Sequence, residues 1–434
     1  MTVLLMNNIL ANNIPLAGFP FIEPLSIDGY IAISGYQALT KALKEMQPAD
    51  VIREVNASGL RGRGGGGFPT GKKWESLLGF TKKGGQTRYV VCNAAEGEPG
   101  TYKDRALIRS NPHQLIEGVI LASYAVGAHE AYIYVNSHEG REGKILEAAL
   151  AEAGEKGFTG NNILGSGFNL VVKLFNAPDS YVAGEETAML EAIEGKVARP
   201  RMKPPYYPFQ QGLFGKPTLV NNAETLSNIP HIIKHGGEWF SLIGSAESPG
   251  TMLFTLTGDI KMPGVYEAPL GTSLRSLIYD CGGGMKEGRE FKAAFPGGPS
   301  GPMVRELDIA MDFAALKKAG SALGSGGVIV YGAEQCMVKV ASETARFFKE
   351  GSCGLCPPCV KGPAQLVEIL ERIEEGKGEV EDLRSMEEIC HFIRGRGYCY
   401  LVTGASLSVA IILASFKPEF KTHIANKKCP SKGQ

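Results

Sequence analysis

The chain has 434 residues, enough for two or three domains that each bury a core of their own. Apolar residues make up 44% and charged residues 21%, which is typical of a folded globular protein and excludes a disordered one. The 45 basic and 45 acidic residues balance, so no nucleic-acid or anionic-membrane partner is expected. Residues 1–6 lack the positive charge that begins a signal peptide, so a cytoplasmic location is expected.

The first distinctive stretch is a glycine-rich loop at residues 60–74. Residues 1–35 before it show no sustained periodicity and are predicted to wrap the surface, and two short helices follow from Tyr36 and Pro48. The loop combines a run of glycines with four basic residues and the rings of Phe68 and Trp74. Free backbone N–H groups in such a loop form an anion-binding concavity. This predicts a site for a flavin or a nicotinamide dinucleotide, against the alternative of an empty surface loop.

The loop contains the spacing GxGxxG at Gly62, Gly64 and Gly67. A Rossmann fingerprint must follow a strand and open a helix. Here a predicted helix precedes the glycines, so a standard Rossmann motif is not expected.

Strands and helices alternate downstream of the loop. The predicted elements are strands at residues 88–93, 131–135 and 170–175 and helices at residues 111–125 and 140–156. Such alternation predicts a mostly parallel α/β sheet. An acidic loop with Glu96 and Glu98 follows the first strand, at the kind of strand end where open α/β sheets bind ligands.

A second acidic feature, Glu185 and Glu186, opens a predicted helix after Tyr181. The helix dipole stabilises acidic residues in the first helical turn, so simple capping is one interpretation. The other is that the carboxylates orient a ribose or a polar ring, since acids pair well with ribose hydroxyls.

Composition changes near residues 244–250, which predicts a domain boundary followed by a small β-rich domain. No ligand-type cluster is visible in that domain, so a spacer role is expected. From Glu334 the apolar spacing becomes helical and predicts a four-helix bundle. Residues 398–416 are uncharged over a length that spans a bilayer, but their serines and glycine favour a buried helix instead.

Five of the nine cysteines lie between Cys353 and Cys399. Cys353, Cys356 and Cys359 are each separated by two residues, a spacing that lets three thiolates converge on one face of a [4Fe–4S] cluster. Zinc sites usually pair one CxxC with a second distant pair. Spacing alone leaves the fourth ligand open, and the candidates are Cys336, Cys390, Cys399 and Cys429.

Three stretches together resemble one family: the glycine loop, the segment from Tyr181 to Glu186, and the cysteine run with residues 395–401. The chain resembles the NADH-binding flavoprotein subunit of respiratory complex I, a module shared with NAD-linked hydrogenases, formate dehydrogenases and related complexes. The resemblance implies an α/β fold: an N-terminal wrapping segment (residues 1–35), a Rossmann-like FMN/NADH-binding α/β domain without the standard fingerprint (residues 36–245), a β-grasp-like domain (residues 246–333), and a four-helix bundle with a [4Fe–4S] cluster (residues 334–434).

The resemblance also assigns residues, all of them cofactor contacts. It implies FMN contacts from Gly62, Gly64, Lys73, Asn93, Asn221, Asn222 and Thr225. It implies NADH contacts from Gly65, Gly66, Phe68, Glu98, Tyr181, Glu186 and Tyr206. Glu96, Gly184 and Glu185 are expected to line the same cavity, with Glu96, Glu98 and Glu186 orienting NADH. It selects Cys399 as the fourth cluster ligand beside Cys353, Cys356 and Cys359.

The chain departs from the family pattern near the flavin and the adenine. Ala95 stands where the family usually has an aspartate, and Ser76 stands where some members place an adenine-stacking aromatic. The turn at residues 206–209 is one residue longer, so either Tyr206 or Tyr207 is the candidate stacking ring.

The implied function is that of an NADH dehydrogenase flavoprotein subunit. Hydride passes between NADH and FMN, and single electrons then pass to the [4Fe–4S] cluster and on to partner subunits; because the cofactors carry this chemistry, no catalytic side chain is expected. The alternative is a scaffold or electron-transfer subunit that keeps the cluster but not the NADH chemistry. The expected partners are a thioredoxin-like [2Fe–2S] subunit and a larger iron–sulfur or catalytic subunit. No membrane span is expected, and the alternative location is the cytoplasmic face of a membrane complex.

Overall fold

The computed structural model describes residues 14–15, 24–80, 86–136 and 140–430. Its strands are β1 (Ile14–Pro15), β2 (Tyr89–Ala94), β3 (Glu130–Val135), β4 (Val171–Asn176), β5 (Thr218–Asn222), β6 (Gly244–Ser245), β7 (Ser248–Pro249), β8 (Thr251–Gly258), β9 (Gly264–Pro269), β10 (Phe291–Phe295) and β11 (Gly327–Gly332). Its helices in the first half are α1 (Ile27–Ala32), α2 (Gln37–Glu45), α3 (Pro48–Ala57), α4 (Thr70–Phe80), α5 (Lys103–Ser110), α6 (Pro112–Val126), α7 (Arg141–Glu155), α8 (Glu186–Ile193) and α9 (Pro208–Gln211). The later helices are α10 (Ala223–Ser227), α11 (Ile229–His235), α12 (Gly237–Ser241), α13 (Leu274–Ser276), α14 (Phe313–Lys318), α15 (Met337–Glu350), α16 (Pro357–Glu374), α17 (Val380–Ile393), α18 (Leu401–Ser415) and α19 (Lys417–Asn426).

The first domain is built on a four-stranded sheet in the order β4-β3-β2-β5, and every pairing in it is parallel. The predicted parallel α/β sheet is confirmed, although strand β5 was not predicted from the sequence. The chain proceeds from β2 to β3 on one side and later returns to place β5 on the other side. The topological switch point, where open α/β sheets bind ligands, therefore lies between β2 and β5.

Helix α6 forms the centre of this domain. Asn111 caps its start by accepting a hydrogen bond from the Gln114 N–H, Pro112 occupies the first turn, and Gly127 ends it at φ 67°. Nearly all of its side chains are buried, which is the pattern of a helix enclosed on all sides.

One face of the described part of the N-terminal segment, which is expected to wrap the surface, packs against this core. Ile27 and Tyr30 of α1 are buried in the first domain, and the Tyr30 hydroxyl donates to Glu117 on α6 at 2.6 Å. β1 pairs antiparallel with β9 of the second domain. The rest of that expectation, at residues 1–13 and 16–23, lies outside the described residues.

The second domain holds a mixed sheet in the order β1-β9-β8-β11-β10. β8 and β11 pair in parallel, and the other pairings are antiparallel. Helices α15 to α18 then form the predicted bundle, and the short helix α19 packs against it as a fifth member. Across the described ranges no single helix is long and apolar enough to cross a membrane; α18 and α19 meet that test only as a pair bent by 74°.

Candidate functional site

A cavity of about 590 Å³ opens at the carboxyl ends of β2 and β5, at the topological switch point. All three domains line it. The wall is formed by Gly64, Gly65, Gly66, Asn93, Ala95, Glu96, Gly97, Glu98, Thr101, Lys103, Asp104, Tyr181, Val182, Gly184, Glu185, Asn222, Gly297, Ser300, Gly301, Ala322, Gly324, Ser325, Cys399, Tyr400 and Leu401. A cavity of this size and mixed polarity suits a cofactor together with a bound nucleotide.

The glycine loop forms one side of this cavity. It follows α3 rather than a strand, so the expectation that it is not a standard Rossmann motif is confirmed. The Gly62 N–H donates to the Phe68 carbonyl at 2.9 Å and closes the loop. A Cβ added to Gly65 or Gly66 meets nothing within 4 Å, because both residues border the open space. Gly65 also has φ 113°, a conformation that favours glycine.

One of the four basic residues of the loop serves the protein rather than a ligand. Arg63 is fully buried, and its guanidinium donates to the carbonyls of Arg61, Pro249 and Thr251 at 3.0–3.1 Å. Its backbone N–H donates to the Thr225 hydroxyl at 2.9 Å. Arg63 therefore fastens the glycine loop to the second domain.

The asparagines at the strand ends are tied to the surrounding wall. Asn93 and Asn222 are register partners on β2 and β5. The Asn93 amide donates to the Gly184 carbonyl at 2.8 Å, and the Asn222 amide donates to Asp104 at 2.7 Å. Gly64 approaches so closely that an added Cβ would lie 2.9 Å from the Asn222 Cβ.

Lys103, a deeply buried charge at the site, was not found from the sequence. Its ammonium lies 2.7 Å from Asp104 and 3.0 Å from Glu224, and all three side chains are at most 4% exposed. It also donates to the Asn222 amide oxygen at 3.0 Å. Burial lowers the pKa of Lys103, but the surrounding carboxylates outweigh it and hold the pKa above its ordinary value. Lys103 thus stays protonated and compensates the two buried carboxylates beside the cavity.

Glu96 lies beside this network in the acidic loop. Its carboxylate accepts from the Asp104 backbone N–H at 3.1 Å and lies 3.6 Å from the Arg105 guanidinium. Burial, together with the charge of Asp104, raises the pKa of Glu96 to about 7.

Glu98 connects the acidic loop to the second domain. It accepts from the Tyr181 hydroxyl at 2.6 Å and from the backbone N–H and hydroxyl of Ser300 at 2.8 Å. Burial raises the pKa of Glu98 above its ordinary value despite these donors. Tyr181 in turn packs edge-on against Phe347 of α15. The expectation that the second domain is a spacer is therefore wrong, because Ser300 and its neighbours form part of the cavity wall.

Glu185 and Glu186 play different parts. Glu185 lines the cavity and caps α8, accepting from the backbone N–H groups of Thr187 and Ala188 at 2.8 and 2.9 Å, so the capping interpretation holds for it. Glu186 lies behind the wall, 3.2 Å from Lys73 and 3.1 Å from Lys203. Burial raises the pKa of Glu186, but the two lysines outweigh it and hold the pKa below its ordinary value.

The rings of Phe68, Trp74, Tyr206 and Tyr207 do not line the cavity. Trp74 is fully buried and donates to the Asn221 side chain at 2.9 Å, so it offers no face to a ligand. Phe68 is 56% exposed, and Tyr206 borders a separate surface depression beside Arg201. Tyr207 stacks on Phe209 at 5.5 Å.

The predicted cofactor residues therefore divide into two groups. The structure places on the cavity wall Gly64, Gly65, Gly66, Asn93, Glu96, Glu98, Tyr181, Gly184, Glu185 and Asn222. The other predicted residues do not line the cavity: Gly62, Phe68, Lys73, Glu186, Tyr206, Asn221 and Thr225. Thr101, Lys103, Asp104, Ser300 and Ser325 belong to the wall but carry no local sequence signal that would identify them.

A second cavity is lined by four thiols. Cys356 caps the start of α16, Cys359 lies in its first turn, Cys353 precedes it, and Cys399 lies just before α18. Of the four candidates that spacing left open, only Cys399 joins the cysteine run. Four thiols around one enclosed space are the donor set of a [4Fe–4S] cluster.

The two cavities share a wall. Val182, Cys399 and Leu401 line both the large cavity and the thiol cavity. The large cavity and the thiol cavity are therefore adjacent, so groups bound in them would lie close together.

Comparison with known proteins agrees with this arrangement. A family model described as "Nuo51 FMN-binding domain" matches residues 55–231, and one described as "NADH-ubiquinone oxidoreductase-F iron-sulfur binding region" matches residues 339–423. An SLBB domain matches residues 253–304, between them. The F 2 subunit of the NADH-quinone oxidoreductase of Rhizobium meliloti is 47% identical over 403 residues, covering 92% of this chain and 95% of its own.

The chain belongs to the family of NADH-quinone oxidoreductase F subunits. Another relative is the NADP-reducing hydrogenase subunit HndC of Solidesulfovibrio fructosivorans, 43% identical over 95% of this chain and 83% of its own. A solved chain of an NAD⁺-reducing [NiFe]-hydrogenase in the H₂-reduced state superposes with a TM-score of 0.79 at 30% identity. That superposition covers 94% of this chain and 66% of the hydrogenase chain.

Membership of this family confirms several expectations. The chain is an NADH dehydrogenase flavoprotein subunit with FMN, NADH and one [4Fe–4S] cluster as its cofactors. The predicted fold class is also confirmed. The comparisons support this function over the alternative of a scaffold without NADH chemistry.

Proposed function

We propose that the 590 Å³ cavity holds FMN and the nicotinamide of NADH together, and that electrons leave it through the wall at Cys399. The observation that carries this proposal is that Val182, Cys399 and Leu401 line both cavities. FMN, when bound, supplies the step between a two-electron hydride donor and a one-electron acceptor.

The protein's part is to bind and position the cofactors. Gly65 and Gly66 let a flat ring or a phosphate approach the backbone, because neither position carries a side chain toward the open space. Lys103 compensates the buried carboxylates of Asp104 and Glu224 and holds the Asn222 side chain, so it fixes this part of the wall. Glu98, Tyr181 and Ser300 hold the opposite wall in place across a domain boundary.

Lys73, Phe68, Tyr206 and Tyr207 do not line the cavity, and we propose cofactor contacts for Lys73, Phe68 and one of the two tyrosines. Lys73 lies on α4, directly after the glycine loop, and its pairing with Glu186 keeps its side chain partly buried near the cavity. We assign it to the FMN side, with the NADH contacts on the side of Phe68. Of the two candidate stacking rings, Tyr206 is the freer, because Tyr207 is already stacked on Phe209.

The protein acts as one subunit of a larger complex. Its relatives are named as subunits of NADH-quinone oxidoreductases and of a hydrogenase. We propose a thioredoxin-like [2Fe–2S] subunit and a larger iron–sulfur or catalytic subunit as partners, and a cytoplasmic location. Two exposed apolar side chains at the thiol cavity, Leu355 and Tyr398, offer a surface for such a partner.

Substitution of Gly66 tests the proposal. Gly66→Leu places a side chain into the cavity without steric conflict elsewhere, since no atom lies within 4 Å of its Cβ position. We expect the purified variant to lose bound FMN, or to keep FMN and lose NADH-dependent bleaching of the flavin absorbance. Its cluster signal in electron paramagnetic resonance after chemical reduction should remain.

The matched control is Gly79→Leu, where an added Cβ also meets no atom within 4 Å but lies on the surface of α4. This variant should keep both FMN and NADH oxidation. If Gly66→Leu retains full FMN occupancy and normal NADH kinetics, the cavity is not the cofactor site.

A further inference from the structure

Two thiols and an imidazole meet in the helical domain, outside both cavities described above. Cys336 caps the start of α15, His423 lies on α19, and Cys429 follows the end of α19. The Sγ and imidazole nitrogen atoms of the three residues all lie within 4.8 Å of one another. The Cys336 Sγ and His423 Nε2 atoms are 3.2 Å apart.

This spacing is that of metal ligands. In a tetrahedral zinc site, bonds of 2.0–2.3 Å place neighbouring sulfur and nitrogen atoms about 3.6–3.8 Å apart. The three ligand atoms lie within 4.8 Å of one another, so shifts of at most about 1 Å would bring them to these separations around an ion. A mixed set of thiolate and imidazole ligands suits Zn²⁺, whereas Mg²⁺ and Ca²⁺ require oxygen ligands.

The backbone around the trio holds it together. His423 is 1% exposed, so its ring is fixed by the packing of α19 against the bundle. Gly376, in the turn after α16, lets the chain beyond α19 approach so closely that an added Cβ would lie 2.1 Å from the Lys427 carbonyl oxygen. That contact brings Cys429 back toward the start of α15, although 93 residues separate it from Cys336.

We propose that Cys336, His423 and Cys429 bind one zinc ion. The three ligands leave one tetrahedral position for a water molecule or for a side chain outside the trio. The ion joins the residue that caps α15 to the segment beyond α19, the last helix of this domain. Helix α15 packs directly against α16 and α18, which carry cluster cysteines at or near their starts. The zinc ion therefore stabilises the helices that position the four cluster thiols.

The first test measures zinc in the holoprotein, purified without oxygen and carrying FMN and the iron–sulfur cluster. We expect one zinc per chain by inductively coupled plasma mass spectrometry after dialysis against a weak chelator. X-ray absorption at the zinc edge should show two sulfur neighbours at about 2.3 Å and at least one nitrogen neighbour at about 2.0–2.1 Å. Iron does not contribute at this edge, so the cluster does not obscure the measurement.

Variants then locate the ion. Cys336→Ser and Cys429→Ser should each reduce retained zinc about tenfold or more, because a hydroxyl is a poor substitute for a thiolate ligand. Cys281→Ser is the matched control, since Cys281 is also free and half-buried but belongs to the second domain. Iron and FMN content should be the same in all of these proteins.

A second pair of variants tests the role of the backbone without touching a ligand. Gly376→Ala should weaken zinc retention because it displaces the segment that carries Cys429. Gly320→Ala is its control, with a similar positive φ of 73° but no atom within 4 Å of the added Cβ.

Several results would overturn the proposal. One is a holoprotein without zinc even after incubation with equimolar zinc. Another is zinc that the two serine variants retain fully, which would place the ion at the thiol cavity. A disulfide between Cys336 and Cys429 in the anaerobically purified protein would also overturn it.

Discussion

Removal of the buried charge of Lys103 should destabilise the first domain severely. In Lys103→Met the side chain keeps most of its volume, but Asp104 and Glu224 lose a cation at 2.7 and 3.0 Å. Breaking a buried ion pair by removing one partner costs about 3–5 kcal/mol, because the remaining charge is left uncompensated. That is a large fraction of the roughly 5–15 kcal/mol by which domains are stable.

In the assay, the holoprotein is unfolded in urea and the unfolding is monitored by tryptophan fluorescence. Both tryptophans of the chain, Trp74 and Trp239, pack in or against the core of the first domain, so the signal reports on the domain that contains Lys103. Lys173→Met is the matched control. Lys173 lies 2.6 Å from Glu130, but it is 49% exposed, and exposed pairs contribute about 0–1 kcal/mol.

The pH dependence provides a second check on the same variant. Burial already raises the pKa of Glu224 in the folded state, and Lys103 opposes that rise, so the pKa of Glu224 should rise further without Lys103. An acid with a raised folded pKa favours unfolding as the pH rises, so the variant should gain stability from pH 8 to pH 6 relative to the native chain. A second substitution, Glu224→Gln, should restore part of the loss by removing one uncompensated charge. If Lys103→Met and Lys173→Met unfold at the same urea concentration, the reasoning is wrong.

Two further predictions concern single side chains. Burial and a neighbouring aspartate raise the pKa of Glu96 to about 7 in the folded state. This group therefore lowers the stability of the fold as the pH rises from about 5 to 8. Glu96→Gln should reduce this pH dependence, which is measured as the difference between the unfolding midpoints at the two ends of the range. Cys399→Ser should abolish the cluster signal while NADH still bleaches the flavin and ferricyanide is still reduced. Cys390→Ser, a buried thiol outside both cavities, should keep the cluster, and loss of the signal in both variants would contradict the assignment.

Much of the architecture follows from local sequence patterns. The predicted strands at residues 88–93 and 131–135 differ from β2 and β3 by a single residue at most at either end. Their continuous apolar runs are typical of parallel strands buried on both faces. β5 was missed because two asparagines end it and glycines and prolines surround it, so its pairing with β2 rather than its own composition makes it a strand.

The candidate site was predictable only where its residues lie close together in the chain. The glycine loop, the acidic loop and the cysteine run each carry their signal within about a dozen residues. Lys103 and Ser300 carry none, since a lysine early in a helix and a serine in a loop are ordinary until packing places them on one cavity wall. For Trp74 the sequence suggested a ligand contact that the structure does not show, because the indole ring is buried in the core of the first domain.

The sequence by itself determined the fold class, the type of cluster that the thiols bind, and the glycine loop that lets a ligand approach the backbone. These features are encoded by the spacing and type of residues that lie close together in the chain. Spacing left the fourth cluster ligand open and the family resemblance selected Cys399; the tertiary structure brings Cys399 to the other three thiols. Only the tertiary structure showed that a second thiol pair meets His423. It also decided that the second domain closes the cofactor cavity through Ser300. These depend on contacts between residues roughly 40 to 200 positions apart, and such contacts are set by how whole domains pack.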